Sequence, residues 1–180
     1  VQRLAQHGNH QLVALGINQL DQNRFDSDSL NYFRYRLNRG NTSGIHPLVM
    51  ETETKMIRAE GCARAAEQLK QKGFCPDVIL AHPGWGEPMF LKTIWPESPL
   101  LCYQEFFYNE YGFDSNFDPE FQEERSWSAQ AKLIMKNAYL HLTLEQSDWN
   151  VSPTHFQASS FPPFWRQRIS VIHDGVDTDL

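Results

Sequence analysis

Residues 77–81, Asp-Val-Ile-Leu-Ala, form a short apolar run that a polar, glycine-containing turn follows directly. That turn reads His-Pro-Gly-Trp-Gly-Glu over residues 82–87. A short apolar run that ends in such a turn and leads into an amphipathic segment, here residues 88–95, is typical of a buried strand followed by a helix. This unit indicates the fold, because strands linked through helices form parallel sheets.

Strand and helix patterns alternate on both sides of this unit. Three other short apolar runs predict strands, at residues 11–15, 99–103 and 169–173, and residues 147–151 are a further strand candidate. Residues 31–37 alternate in polarity, which predicts a half-buried strand near a sheet edge. Helices are predicted at residues 1–7, 47–72, about 118–139 and 155–161, with Gly73 ending the second and Asp118-Pro119 starting the third. The sequence therefore predicts an α/β fold, a Rossmann-like, mostly parallel sheet with helices on both faces.

Composition limits the class of protein. A chain of 180 residues fits one domain, and its formal charge of −6 argues against nucleic acid as a partner. The three cysteines form no Cys-x-x-Cys pair, which favours buried free thiols in a reducing compartment. No apolar run is long enough to span a membrane and no signal peptide is visible, so we expect a cytoplasmic protein.

Polar side chains follow four successive predicted strands at the point where each ends. In an open parallel sheet, ligands bind beyond the carboxyl ends of the strands. We therefore expect one site along this edge of the sheet, which we call the rim. Its members are His82 with the turn that follows, Gln104-Glu105, Ser152-Pro153-Thr154 and Asp174-Gly175.

The turn after residue 81 has two interpretations. Gly84 and Gly86 on either side of Trp85 allow a tight backbone that approaches a ligand, with Trp85 as a stacking platform and Glu87 as a partner for sugar hydroxyls. The alternative is a structural turn with a buried Trp85 and a helix-capping Glu87. The pattern alone leaves both open.

Glu105 follows a buried strand in an aromatic setting, where a carboxylate serves as a base or as an anchor for a hydroxyl group. The alternative is a structural carboxylate paired with an arginine or with backbone amides. Dinucleotide, Walker and Gly-x-Ser-x-Gly motifs are absent. We expect no dedicated metal site, since His-Glu-x-x-His is also absent and His82 and His173 lie far apart in the chain.

Three segments resemble the N-terminal domain of family 4 glycosyltransferases. Residues 81–96 (AHPGWGEPMFLKTIWP) and 98–109 (SPLLCYQEFFYN) are similar to a bacterial subgroup of these domains. Residues 148–178 are similar to the end of the domain, where a strand leads into an Asp-Gly-Val-Asp turn, here residues 174–177. The resemblance covers nearly the whole chain.

The resemblance implies a GT-B architecture, in which two Rossmann-like domains face each other across a cleft, with residues 1–180 as an N-terminal, acceptor-side domain truncated at both ends. It implies a retaining glycosyltransferase that moves a sugar from a nucleotide sugar to an acceptor hydroxyl with no cofactor. A C-terminal domain acting in cis would hold most of the donor, so the isolated fragment is expected to be inactive. The acceptor would be a carbohydrate or lipid-linked molecule, and the latter leaves open a peripheral membrane association of the full enzyme.

Pattern and resemblance together select the candidate site residues. Many family members place a histidine just after the strand that corresponds to residues 99–103, and Glu105 stands at or near that position here. The catalytic candidates are Glu105 and His82. The substrate-binding candidates are Gly84, Trp85, Gly86, Glu87, Ser152, Thr154, Asp174 and Gly175.

Two other functional classes remain alternatives at this point. One is a non-catalytic α/β binding or interaction module that keeps the fold. The other is a different GT-B enzyme, such as an epimerase, which would keep the fold and change the reaction.

Overall fold

A computed structural model describes Leu4 and residues 10–18, 30–113, 116–121, 126–176 and 178. The strands of this part are β1 (Leu12–Gly16), β2 (Leu30–Arg34), β3 (Ile79–Ala81), β4 (Leu100–Tyr103), β5 (Trp149–Ser152) and β6 (Ile169–Val171). The helices are α1 (Met50–Gln71), α2 (Leu91–Ile94), α3 (Trp127–Lys136), α4 (Ala138–Gln146), α5 (His155–Ser159) and α6 (Pro163–Arg166). The predicted helix over residues 1–7 lies outside this part except for Leu4, which is helical.

All described strands pair in parallel, in two sheets. One sheet has the order β1-β2 and the other the order β3-β4-β5-β6. Each of the five predicted strands and the alternating strand at residues 31–37 is present, with ends shifted by at most three residues. The predicted α/β class with parallel strands is confirmed.

Helix α1 joins the two sheets through one core. The small side chains of Cys62, Ala65 and Ala66 are almost fully buried and pack with Ile79 of β3. Phe33 of β2 packs against the same cluster, as do several other partly buried residues. Gly61 allows an even closer approach, since a Cβ atom there would lie 3.1 Å from the ring of Tyr35. Small residues on one helix face thus let both sheets pack closely against α1.

The helix predicted from about residue 118 to residue 139 is wrong as a single element. Pro119–Phe121 is an isolated 3-10 turn, in which the backbone N–H of Glu120 donates to the side chain of Asp118. Helix α3 begins later, where the hydroxyl oxygen of Ser126 accepts a hydrogen bond from the N–H of Ala129 at 3.2 Å. Residues 122–125, with Glu123 and Glu124, lie outside the described residues.

Asn137 lies between α3 and α4, and its side chain is hydrogen-bonded to the loop that follows β4. Its side-chain amide donates to the carbonyl of Tyr108 at 2.8 Å and its oxygen accepts from the N–H of Tyr108 at 3.0 Å. A buried amide that bonds a loop backbone twice is a strong local constraint, since both partners would otherwise be buried without hydrogen bonds.

Helices cover one face of the four-stranded sheet in the described part of the chain. On that face Leu100, Cys102 and Asn150 are fully buried. On the opposite face the side chains of Leu80, Trp149 and Ile172 remain 61%, 45% and 58% exposed. No described helix combines the length and the apolar character that crossing a bilayer needs.

The cysteines are free, but they are not all buried. Cys62 and Cys102 lie in the core, and burial raises the pKa of each thiol to about 12. Cys75 is exposed, contrary to the expectation of three buried thiols. It lies in the loop between α1 and β3, where no strand or helix packs it into the core.

Asp148 should give the fold a measurable pH dependence. Its carboxylate accepts from the ammonium of Lys92 at 2.8 Å and from the N–H of Leu100 at 2.7 Å, and these bonds lower its pKa. A lowered folded pKa stabilises the fold above the unfolded pKa and loses that effect as the pH falls through the folded value. Because the side chain is half exposed, Asp148→Asn should lower the free energy of unfolding by only about 1 kcal/mol at neutral pH.

Urea denaturation measured at neutral and at acidic pH tests this expectation. The difference between the wild-type chain and Asp148→Asn should disappear in acid. Asp77→Asn, at an exposed position, is the matched control and should cost little at either pH. An equal loss of stability for Asp148→Asn at both pH values would contradict the assignment.

Candidate functional site

The four parallel strands β3 to β6 place their carboxyl ends at one rim, as the sequence predicts. The turn after β3 is built around His82. Its Nδ1 accepts a hydrogen bond from the backbone N–H of Gly84 at 3.1 Å, which closes a 3-10 turn over Pro83–Trp85. Gly86 then takes a left-handed conformation with φ of 94° and leads into a second 3-10 turn, Glu87–Phe90. The glycine is required here, because a side chain in this conformation is strained.

Two basic residues of α1 contact this turn. Lys55 as a residue is only 7% exposed, and its ammonium donates a hydrogen bond to the carbonyl of Gly84 at 2.7 Å. It also lies 4.6 Å from the ring centroid of Trp85, and the guanidinium of Arg58 lies 4.9 Å from the same ring. Burial is the main cause that lowers the pKa of Lys55. These cation–π contacts fix the indole against the helix.

Trp85 and Glu87 combine features of both interpretations. Trp85 is 56% exposed, so it is not the buried residue of the structural interpretation. Glu87 accepts a hydrogen bond from the phenol of Tyr35 at 2.9 Å and lies 3.6 Å from Arg58. Burial, followed by the carboxylate of Glu87, raises the pKa of Tyr35. Glu87 is thus held by protein groups, whereas the indole of Trp85 is accessible.

The two catalytic candidates contact each other. Nε2 of His82 lies 3.1 Å from Oε2 of Glu105. Because Nδ1 of His82 already accepts from Gly84, the hydrogen bonds assign the proton of the neutral ring to Nε2, which donates to Glu105. His82 therefore orients Glu105 and has no free lone pair with which to act as a base. The side chain of Glu105 is 59% exposed and accessible to a ligand.

Asp174 is held at the same rim from the other edge of the sheet. Tyr103 donates from its phenol to both carboxylate oxygens of Asp174, at 2.7 and 2.9 Å. The next glycine, Gly175, has φ of 81° and donates its backbone N–H to Nδ1 of His173 at 3.0 Å. The histidine–glycine turn after β3 therefore has a counterpart after β6. Asp177, the last residue of the predicted turn, lies outside the described residues.

Ser152 and Thr154 do not join this cluster. Ser152 lies on the helix-covered face of β5 and is fully buried. The reason is the alternation of side chains along the strand, which turns Asn150 and Ser152 inward. Thr154 caps α5, accepting from the N–H of Gln157 at 3.1 Å and donating to its side-chain oxygen at 2.7 Å.

Comparison with known protein families identifies the family of this chain. A family model described as "Glycosyl transferase family 4 group" matches residues 8–180. The chain belongs to this family. None of the curated proteins compared with it matches the chain.

For this glycosyltransferase family 4 domain, the structure adds residues that sequence patterns did not select. Lys55 and Arg58 lie three positions apart on α1 and so share the helix face beneath the rim. In the sequence, this spacing is the feature that could have indicated the pair. It is also common on solvated helix faces, so it does not distinguish a functional pair. Within the described ranges of the glycosyltransferase chain, no three His, Cys, Asp or Glu side chains gather as metal ligands do.

Among the described glycines of the glycosyltransferase domain, Gly86 combines a positive φ with a close backbone contact and should be sensitive to substitution. A Cβ atom there would lie 2.6 Å from the backbone carbonyl oxygen of Lys55, and φ is positive. We expect Gly86→Ala to lower the free energy of unfolding by about 3 kcal/mol, from left-handed strain and backbone clash together. Gly73 is a matched control, since its φ is 89° but no atom lies within 4 Å of the added Cβ.

Urea denaturation of both variants separates strain from clash. Gly73→Ala should cost only about 1 kcal/mol, the strain alone. If both variants lose the same stability, the close contact between α1 and the turn after β3 is not present in solution.

Proposed function

We propose that this chain is the acceptor-side domain of a retaining, nucleotide-sugar-dependent glycosyltransferase, and that Glu105 receives the acceptor hydroxyl. The observation that carries the proposal is the contact between His82 and Glu105 at the rim of a family 4 glycosyltransferase domain. An oriented, accessible carboxylate accepts a hydrogen bond from a hydroxyl group and keeps its oxygen directed at the sugar donor.

The charge of the rim favours a neutral, hydroxyl-rich acceptor. Its oriented acidic groups, Glu105 and Asp174, only accept hydrogen bonds when they are ionised, and hydroxyl groups supply the matching donors. A phosphate group would be repelled by the same surface, so the rim matches a carbohydrate better than an anionic acceptor.

The diphosphate of the donor needs a different set of groups. Catalysis of sugar transfer depends on stabilising the negative charge of the leaving diphosphate, for which cationic side chains and backbone amides are suited. The basic residues beneath the rim, Lys55 and Arg58, are engaged with the turn after β3 and with Trp85. We therefore propose that a second lobe binds most of the nucleotide sugar and that transfer requires it.

Substitution of the two contacting residues tests the proposal. In the full gene product, assayed with a panel of nucleotide sugars and carbohydrate acceptors, Glu105→Ala should lower kcat by about 10²- to 10⁴-fold. His82→Ala should cause a smaller loss, because it removes only the group that orients Glu105. Glu105 is exposed enough that its substitution should change the melting temperature little, whereas His82→Ala also removes the cap on the turn at Gly84 and should lower it slightly.

Glu97→Ala is the matched control, an exposed carboxylate near the amino end of β4, and it should retain activity. Product analysis separates the other functional classes. Epimerised nucleotide sugar without a glycosylated acceptor would indicate an epimerase, and binding without turnover would indicate a non-catalytic module. Full activity in Glu105→Ala would refute the assigned role.

A further inference from the structure

Tyr103, the last residue of β4, contacts both parts of the candidate site. Its ring stacks on the imidazole of His82, with centroids 5.9 Å apart and planes inclined by 29°. Its phenol reaches the two carboxylate oxygens of Asp174, at 2.7 and 2.9 Å. Since His82 bonds Glu105, one unbroken series of contacts runs from Glu105 to Asp174.

This series crosses the whole four-stranded sheet. His82 follows β3 at one edge, Tyr103 ends β4, and Asp174 comes after β6 at the other edge. Strand β5 lies between β4 and β6, and its Val151 pairs with Tyr103. The side chain of Tyr103 therefore extends across the end of β5 to reach Asp174. A tyrosine is long enough for this reach, and its ring at the same time supplies a flat surface for the imidazole.

We propose that Tyr103 is a positioning residue that holds Glu105, through His82, and Asp174 in one fixed arrangement. The inference rests on the proposed function and deepens it, because it makes the two carboxylates a single receptor for neighbouring hydroxyls of one acceptor. Both carboxylates belong to exposed residues that follow the end of a strand. Without a fixed partner, each side chain would sample several rotamers. Fixing them before the ligand arrives favours binding and a reactive geometry.

The phenol is suited to this role at neutral pH. Burial, together with the hydrogen bond to Asp174, raises the pKa of Tyr103 to about 12. The group that donates to Asp174 is thus neutral and keeps its proton. The charged or titratable groups that face it are Asp174, Glu105 and His82.

Two conservative substitutions test the coupling. Tyr103→Phe keeps the ring that stacks on His82 and removes the hydroxyl group. Asp174→Asn keeps the shape of the side chain that accepts from Tyr103 and removes its charge. In the full gene product, each should lower kcat/KM for the carbohydrate acceptor by about tenfold, the equivalent of one charge-assisted hydrogen bond. Because Asp174→Asn also changes the group that meets the acceptor, while Tyr103→Phe acts only through Asp174, the double variant should lose little more than Asp174→Asn alone.

Tyr32→Phe is the matched control. Tyr32 also lies on a strand and donates from its phenol, to the carbonyl of Asn18 at 2.7 Å, but it is in the other sheet. Its substitution should leave kcat/KM unchanged. Additive losses in the double variant, or an unaltered kcat/KM in Tyr103→Phe, would overturn the positioning role.

A second measurement does not depend on turnover. With ¹³C-labelled tyrosine, nuclear magnetic resonance follows the titration of Tyr103, which Tyr103→Phe identifies. Asp174→Asn should lower the pKa of Tyr103 toward the ordinary value of 10.0, whereas Glu97→Ala should not. An unchanged titration in Asp174→Asn overturns the inference. Absence of sugar transfer in the wild-type protein would instead refute the proposed function, while the titration still decides the contact.

Discussion

The structure depends on how closely α1 approaches the strands. Cys62, Ala65 and Ala66 are each at most 3% exposed, and larger side chains on this face would push the sheets away. The same helix carries Lys55, whose ammonium holds the turn after β3 and whose carbonyl lies against Gly86. One helix thus fixes the core and the shape of one end of the rim.

Alternation along β4 divides its residues between the core and the site. Cys102 and Gln104 are fully buried on the helix side, where the amide of Gln104 donates to Asn150 at 2.8 Å. Tyr103 and Glu105 point to the opposite face and contact His82. The candidate site is therefore made of accessible side chains that hydrogen bonds and ring stacking hold in place, while a buried polar pair anchors the strand beneath them.

Sequence patterns predicted the parts of the structure that local chemistry determines. The strand ends, the glycine turns and the common rim follow from apolar runs and from the geometry of parallel sheets. The inward orientation of Ser152 did not follow, because one residue in the phase of a strand decides which face a side chain takes. The contact between Asn137 and Tyr108 did not follow either, because it joins two residues that are distant in sequence.

Residues after β3, β4 and β6 should act on one ligand. This expectation can be tested by nuclear magnetic resonance of the ¹⁵N-labelled chain during titration with a mixture of neutral monosaccharides. The resonances of the indole N–H of Trp85 and of the backbone amides of Gly84, Glu105 and Gly175 should shift together. Shifts confined to the amino ends of the strands, near Pro99 and Asp148, would contradict it.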